Sequence, residues 1–200
     1  MKYINEGGSL IPGSGFLVLV RHGQSMGNAW NPAYKNPMMN FLTELGEIQA
    51  KMAGLKLKQT GLKFNTMITS ELTRARHTLS IIAHTVQDWQ REFIVDGRFN
   101  ERASADMTKG PLERESSRDE HFGKVEDGLH HLVLPHLEKQ NILLVSHYFT
   151  MQAIFKVLGV NRSRMWGHGD HIPNSIPYIW DPREPEKMLV LNDETRVPKY

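Results

Sequence analysis

The chain has 200 residues and a mass of 22.9 kDa, enough for one domain with a substantial core. Its 24 Lys and Arg nearly balance its 22 Asp and Glu, and the two signs are interspersed, so nucleic acid is not indicated as a partner. There is no cysteine, which excludes disulfides, thiolate nucleophiles, iron–sulfur clusters and Cys-ligated zinc; a metal would have to be held by His and carboxylates.

Phe16 to Val20 is an unbroken run of β-formers and reads as a strand buried on both faces. It runs straight into Arg21, too soon for a signal peptide core or a membrane span, so a soluble cytoplasmic protein with no membrane partner is expected. Thr43 can cap a helix whose apolar positions are Leu45, Ile48, Met52 and Leu55, with Gly61 stopping it. Met67 to Thr69 reads as a short strand, and Ser70 can cap a second helix carrying Leu72, Ala75, Leu79, Ile82 and Val86. Phe93 to Val95 is a third strand. From Ala103 to Asp119 the chain is polar, with Gly110-Pro111 and Ser116-Ser117 as breakers, and a loop is expected there. A helix from about Glu120 would present Phe122, Val125, Leu129, Leu132 and Val133, and Pro135 would kink or end it. Asn141 to Val145 is another buried strand, Tyr148 to Leu158 a helix, and Ile176 to Trp180 with Met188 to Leu191 suits a hairpin.

This alternation predicts an α/β three-layer sandwich: a mostly parallel central sheet flanked by helices, with the C-terminal hairpin at the sheet edge. One domain over residues 1–200 is expected, with a short polar cap loop at about 103–119. In such sheets ligands bind beyond the carboxyl ends of the strands, and two buried strands each deliver a histidine to that edge, His22 and His147. Arg21-His22-Gly23-Gln24-Ser25 sets a cation, a potential nucleophile and a glycine permitting close backbone approach at one strand end, a combination suited to a phosphoryl group. A histidine at a strand end is more often a packing residue than a nucleophile, but two at one edge weaken that alternative.

Arg21-His22-Gly23-Gln24-Ser25-Met26-Gly27-Asn28 resembles the signature of the histidine phosphatase superfamily, the clan of the phosphoglycerate mutases. Leu42 to Gly46 with Gln49-Ala50, Ser70 to Thr78 around Arg74, Phe99-Asn100-Glu101-Arg102, and Leu144-Val145-Ser146-His147 resemble the family's further motifs, in family order over roughly residues 16–180. The resemblance implies that His22 is the nucleophile, that Arg21, Asn28, Arg74 and His147 surround the phosphoryl oxygens, and that Glu101 is the acid and then the base. It implies neither metal nor other cofactor, and a small phosphorylated metabolite or phosphoester as the substrate. Spacing favours hydrolysis: only 46 positions separate Glu101 from His147, and the mutases are expected to carry a longer insertion there. Tyr148 stands where the family usually has glycine, and Ala103-Ser104-Ala105 where mutases have His-Tyr-Gly.

The expectation is therefore a metal-independent phosphomonoesterase. A phosphoglycerate-mutase-like phosphotransferase is the alternative, and an inactive binding module a lesser one. Lys109, Arg114 and Arg118 could grip a second anionic group, although charged loop residues are usually just solvated. His168-Gly169-Asp170-His171 offers three potential metal ligands, the basis of a rival metal-dependent reading, although all three lie on one short loop. Oligomeric state is left open by the sequence.

Overall fold

The structure, a computed structural model, describes residues 15–29, 39–86, 93–102, 111–160 and 171–191. In chain order the elements are β1 (Leu17–Arg21), α1 (Glu44–Gln59), β2 (Thr66–Thr69), α2 (Thr73–Val86), β3 (Phe93–Val95), α3 (Pro111–Gly128), β4 (Ile142–Ser146), α4 (Tyr148–Val157), β5 (Pro177–Trp180) and β6 (Met188–Val190). The six strands form one sheet in the order β3-β2-β4-β1-β5-β6. The first four run parallel, while β5 and β6 are antiparallel to their neighbours, so the hairpin closes one edge as expected.

Alternation along β1 and β4 divides the interior into two cores. Leu17 and Leu19 join Ile142 and Leu144 on one face, packed against Phe99, Val125, Leu129, Met151, Ile154 and Phe155 from the α3 and α4 side. Val18 and Val20 join Leu143 and Val145 on the other, packed against Ala53 and Leu57 of α1 and Ala75, Leu79 and Ile82 of α2. Up to their last residues, Arg21 and Ser146, β1 and β4 are apolar at every position because both faces are covered. No helix of the described residues is long and apolar enough to cross a membrane.

Two expectations are corrected. Leu45, Ile48, Met52 and Leu55 do not face the core; they are exposed, and α1 buries Gly46, Ala50, Ala53, Gly54 and Leu57 instead. The reason is the close approach of α1 to its neighbours. A Cβ added to Gly54 would lie 2.6 Å from Thr85 Cβ of α2, and one on Gly46 would run into Gln24 O, so only small side chains fit inward. The polar stretch expected to be a loop to residue 119 is helical from Pro111, a residue suited to the first helical position because its missing N–H has no intrahelical partner there. Residues 103–110, with Lys109, and the Arg114 side chain lie outside the described residues. Pro135 does end the helical run, which passes through a π turn at Leu129–Val133 into a 3-10 turn at Leu134–His136.

Candidate active site

The register decides where the two histidines sit. β1 and β4 are adjacent and parallel with Arg21 paired to Ser146, so the next residues, His22 and His147, emerge side by side. Their ring centroids are 5.1 Å apart and both side chains are buried. Thr43 caps α1 by accepting from Gly46 N, and its hydroxyl donates to Gln24 Oε1; Gln24 N donates to Gln49 Oε1. These bonds stitch the segment after His22 to α1. A side chain on Gly23 would run into Gly46 O, so the glycine is demanded by close packing.

His22 Nδ1 lies 2.7 Å from Gly23 O, a carbonyl that can only accept, so Nδ1 carries the proton. Nε2 is then the free base, and it accepts from Arg74 Nε at 3.2 Å. Burial, reinforced by Arg74 and Arg21 and opposed by the Gly23 bond, holds the His22 pKa well below its ordinary value. An Nε2 that accepts from an arginine N–H carries no proton of its own, so in this arrangement the ring is neutral. Its main-chain oxygen accepts from Asn174 Nδ2 at 2.6 Å, and Gly23 N donates to Thr78 Oγ1, which itself donates to Arg74 O.

His147 Nε2 lies 2.7 Å from Ser70 Oγ. Ser70 Oγ also accepts from Leu72 N, and its own hydrogen is available to Nε2 in the tautomer that carries the His147 proton on Nδ1. Nδ1 is buried and has no hydrogen-bond partner among the described residues, and neither has Arg21 Nε. Buried polar atoms without a partner are uncommon in folded proteins. Arg21 Nη1 donates to Ile172 O at 2.7 Å, and the guanidinium lies over the Tyr148 ring. Burial also depresses the pKa of Arg21, Arg74 and His147.

Glu101 accepts from the backbone N–H groups of Arg102 at 3.0 Å and Phe149 at 3.1 Å. Burial nevertheless raises its pKa, against those bonds and the nearby Arg74 and Arg21 charges. The segment before it is pinned: Ser146 Oγ donates to Phe99 O, Thr150 Oγ1 to Asn100 O, and Asn100 Oδ1 accepts from Glu71 N. Beside it lies a cavity of about 670 Å³ between α3 and α4, lined by residues that include Arg102, Arg118, His121, Phe122, Phe149 and Lys156.

Five of the six residues named from the sequence thus converge, with Arg74 and His22 in direct contact and Arg21 and Glu101 flanking them. Asn28 is the exception in engagement: it is exposed, and its Oδ1 accepts from Ser25 N and Ser25 Oγ. His168 lies outside the described residues and His171 is exposed; among the described residues no three His, Asp or Glu side chains are grouped to hold a metal.

A family model described as histidine phosphatase superfamily (branch 1) matches residues 17–124. The chain belongs to this superfamily. A 2,3-bisphosphoglycerate-dependent phosphoglycerate mutase of Rhizobium rhizogenes is 33% identical over 193 residues, covering 92% of this chain and 88% of the relative. Among solved structures, the phosphoserine phosphatase of Entamoeba histolytica, in complex with 3-phosphoglyceric acid, superposes with a TM-score of 0.62 at 18% identity, covering 88% of this chain and 95% of that one. The mycobacterial glucosyl-3-phosphoglycerate phosphatase gives 0.62 at 19%, covering 90% and 98%. These two show the fold shared within the superfamily. The mutase relative matters for the spacing argument: this chain spans most of its length, so the 46-residue interval does not by itself set the chain apart from proteins carrying that name.

Three contacts at the site go beyond the sequence reading. Ser70, expected as a helix cap within the Arg74 motif, lies ahead of α2, which begins at Thr73, and its hydroxyl instead meets His147. Thr78 links Gly23 to α2, and Tyr148 lies under Arg21. For Ser70 the signal was position: it follows β2, which pairs directly with β4, so both segments end at the same sheet edge.

Proposed function

We propose that the protein is a phosphomonoesterase that works through a phosphohistidine on His22, acting on a small phosphorylated metabolite. The observation that carries this reading is the state of His22: a neutral ring with Nδ1–H committed to Gly23 O and Nε2 facing the Arg74 guanidinium.

In the proposed first step the Nε2 lone pair attacks phosphorus in line with the leaving oxygen. The P–O bond breaks, its electron pair goes to that oxygen, and Glu101 supplies the proton. A carboxyl with a raised pKa suits that role. Arg21, Arg74 and His147 meet the charge on the phosphoryl oxygens, with Asn28 able to add its amide from the rim. Removing one such preorganised donor typically costs about 10²–10³ in rate. In the second step water attacks the phosphohistidine, Glu101 takes its proton, the P–N bond breaks and its electron pair returns to Nε2.

Transfer to a second phosphorylated acid in place of water is the other reading, and the 33% identical mutase relative favours it. Incubation with a phosphorylated donor followed by alkaline quenching tests the shared first step. An acid-labile, base-stable phosphoryl group on His22, absent from His22→Ala, is expected; full turnover by His22→Ala would overturn the proposal.

A further inference from the structure

Helix α1 has two apolar faces, and among the described residues only one of them is packed. Gly46, Ala50, Ala53, Gly54 and Leu57 are buried inward. On the opposite side Leu45, Ile48, Met52 and Leu55 run the length of the helix, and Met39 and Phe41, in the segment that leads into it, are exposed as well. These six are 39% to 56% exposed, and they are six of the ten large apolar residues exposed among the described residues. Together they present roughly 500 Å² of apolar surface, at the upper end of what monomeric proteins leave open. The 3-4-3 spacing of Leu45, Ile48, Met52 and Leu55 is that of the a and d positions of a helix–helix seam.

We propose that this face is the dimer interface, α1 packing antiparallel against α1 of a second copy about a two-fold axis. The charges select both the occupant and the direction. The first turn of α1 is acidic, with Glu44 and Glu47, and the last turn basic, with Lys56 and Lys58. Antiparallel pairing sets Leu45 against Leu55 and Ile48 against Met52 of the second copy. It brings Glu44 opposite Lys58, and two-fold symmetry makes that pair twice. Parallel pairing would instead face Lys51 with Lys56 and leave Glu44 opposite the neutral Gln49. Antiparallel alignment also opposes the helix dipoles. Lys51 meets its own copy at the axis, where its long side chain reaches water past the seam. Lys56 is directed away, with Nζ donating to Leu191 O at 3.3 Å. Two copies would bury about 1,000 Å² before the flanking groups are counted, where specific interfaces begin.

Sedimentation velocity on the full chain from about 1 to 100 µM tests this. The wild type is expected to shift from monomer to dimer with concentration. Ile48→Glu with Met52→Glu should stay monomeric throughout while keeping its circular dichroism spectrum, since both positions are exposed. Glu44→Lys and Lys58→Glu should each weaken the dimer by about fivefold, in line with exposed ion pairs, and the two combined in one chain should restore it. A wild type that is monomeric at the top concentration overturns the proposal, as does a dimer indifferent to the Ile48 and Met52 changes. So does a full chain that dimerises only after residues 1–14 are removed, because that segment would then be the occupant.

Discussion

Arg74 Nε donates to His22 Nε2 across 3.2 Å, so the atom proposed to attack phosphorus is in contact with a cation that cannot protonate it. The guanidinium keeps Nε2 a free base and stands where charge accumulates during transfer. Replacing it with an ammonium keeps the charge but loses the planar fork. Arg74→Lys is therefore expected to lower kcat/KM by about 10²–10³, close to Arg74→Gln, in a phosphate-release assay. Near-wild-type activity in Arg74→Lys would mean that only net charge matters there.

If Glu101 is the acid, its substitution should matter in proportion to how badly the leaving group needs a proton. Glu101→Gln keeps a carbonyl to accept from Arg102 N and Phe149 N, so the local fold should hold. Phosphorylation by alkyl phosphates should slow by about 10²–10⁴, and by an aryl phosphate far less, because a phenolate leaves unaided. Since burial raises the Glu101 pKa, the alkyl reaction should persist above the ordinary carboxyl range and fall on the alkaline side as that proton is lost. The falling limb should vanish in Glu101→Gln. Equal losses on both substrates in single-turnover experiments would show that Glu101 organises the site without moving the proton.

The strand ends were legible because a strand buried on both faces is apolar at every position. Arg21 and Ser146 interrupt those runs where the sheet stops, which exposes His22 and His147 as edge residues. Arg74 and Glu101 were not legible from pattern, since an Arg in a first helical turn and a Glu after a strand are commonly solvated. Only the motif resemblance singled them out. α1 was misread for a physical reason: its inward face is built of glycine and alanine, so periodicity pointed to the outward leucines. Ser70 was hidden because its bond to His147 spans 77 positions in sequence and depends on which strands are neighbours.

Stability should fall on the acid side for a stated set of groups. His22 and His147 are held well below their ordinary pKa by burial, and half-buried His121 is pushed down to about 4, chiefly by burial and then by Arg102 and Lys124. Below the ordinary histidine value of about 6.5 the unfolded chain binds protons that the folded one refuses. Their contribution is thus complete above that pH and lost as the pH drops through it, for His121 down to about 4. Urea unfolding at pH 7, 6 and 5 should show a progressive loss, shallower in His121→Gln. Equal slopes for the two proteins would remove His121 from the set.

Turnover should survive excess EDTA, because Arg21, Arg74 and His147 supply the positive charge proposed to meet the phosphoryl oxygens. Phosphate release from an alkyl monoester, measured with and without chelator, checks this. Loss of turnover that a divalent ion restores would return attention to His168, Asp170 and His171.

Water is expected to be the dominant acceptor from the phosphohistidine. A mutase must hold its phosphorylated intermediate long enough for back-transfer, which requires excluding water from the phosphorylated site. Here the 670 Å³ cavity borders Arg102 and Phe149, the two residues whose N–H groups hold Glu101, and so lies beside the group proposed to activate water. Length alone does not decide the matter, because the Rhizobium rhizogenes mutase is matched along most of its chain. The decisive quantity is a partition ratio. With 3-phosphoglycerate and a primed enzyme, phosphate release should exceed formation of 2-phosphoglycerate, and adding a phosphorylated acid acceptor should leave the dephosphorylation rate nearly unchanged. Interconversion outrunning phosphate release would overturn the hydrolase reading in favour of transfer, while leaving His22 as the nucleophile of both.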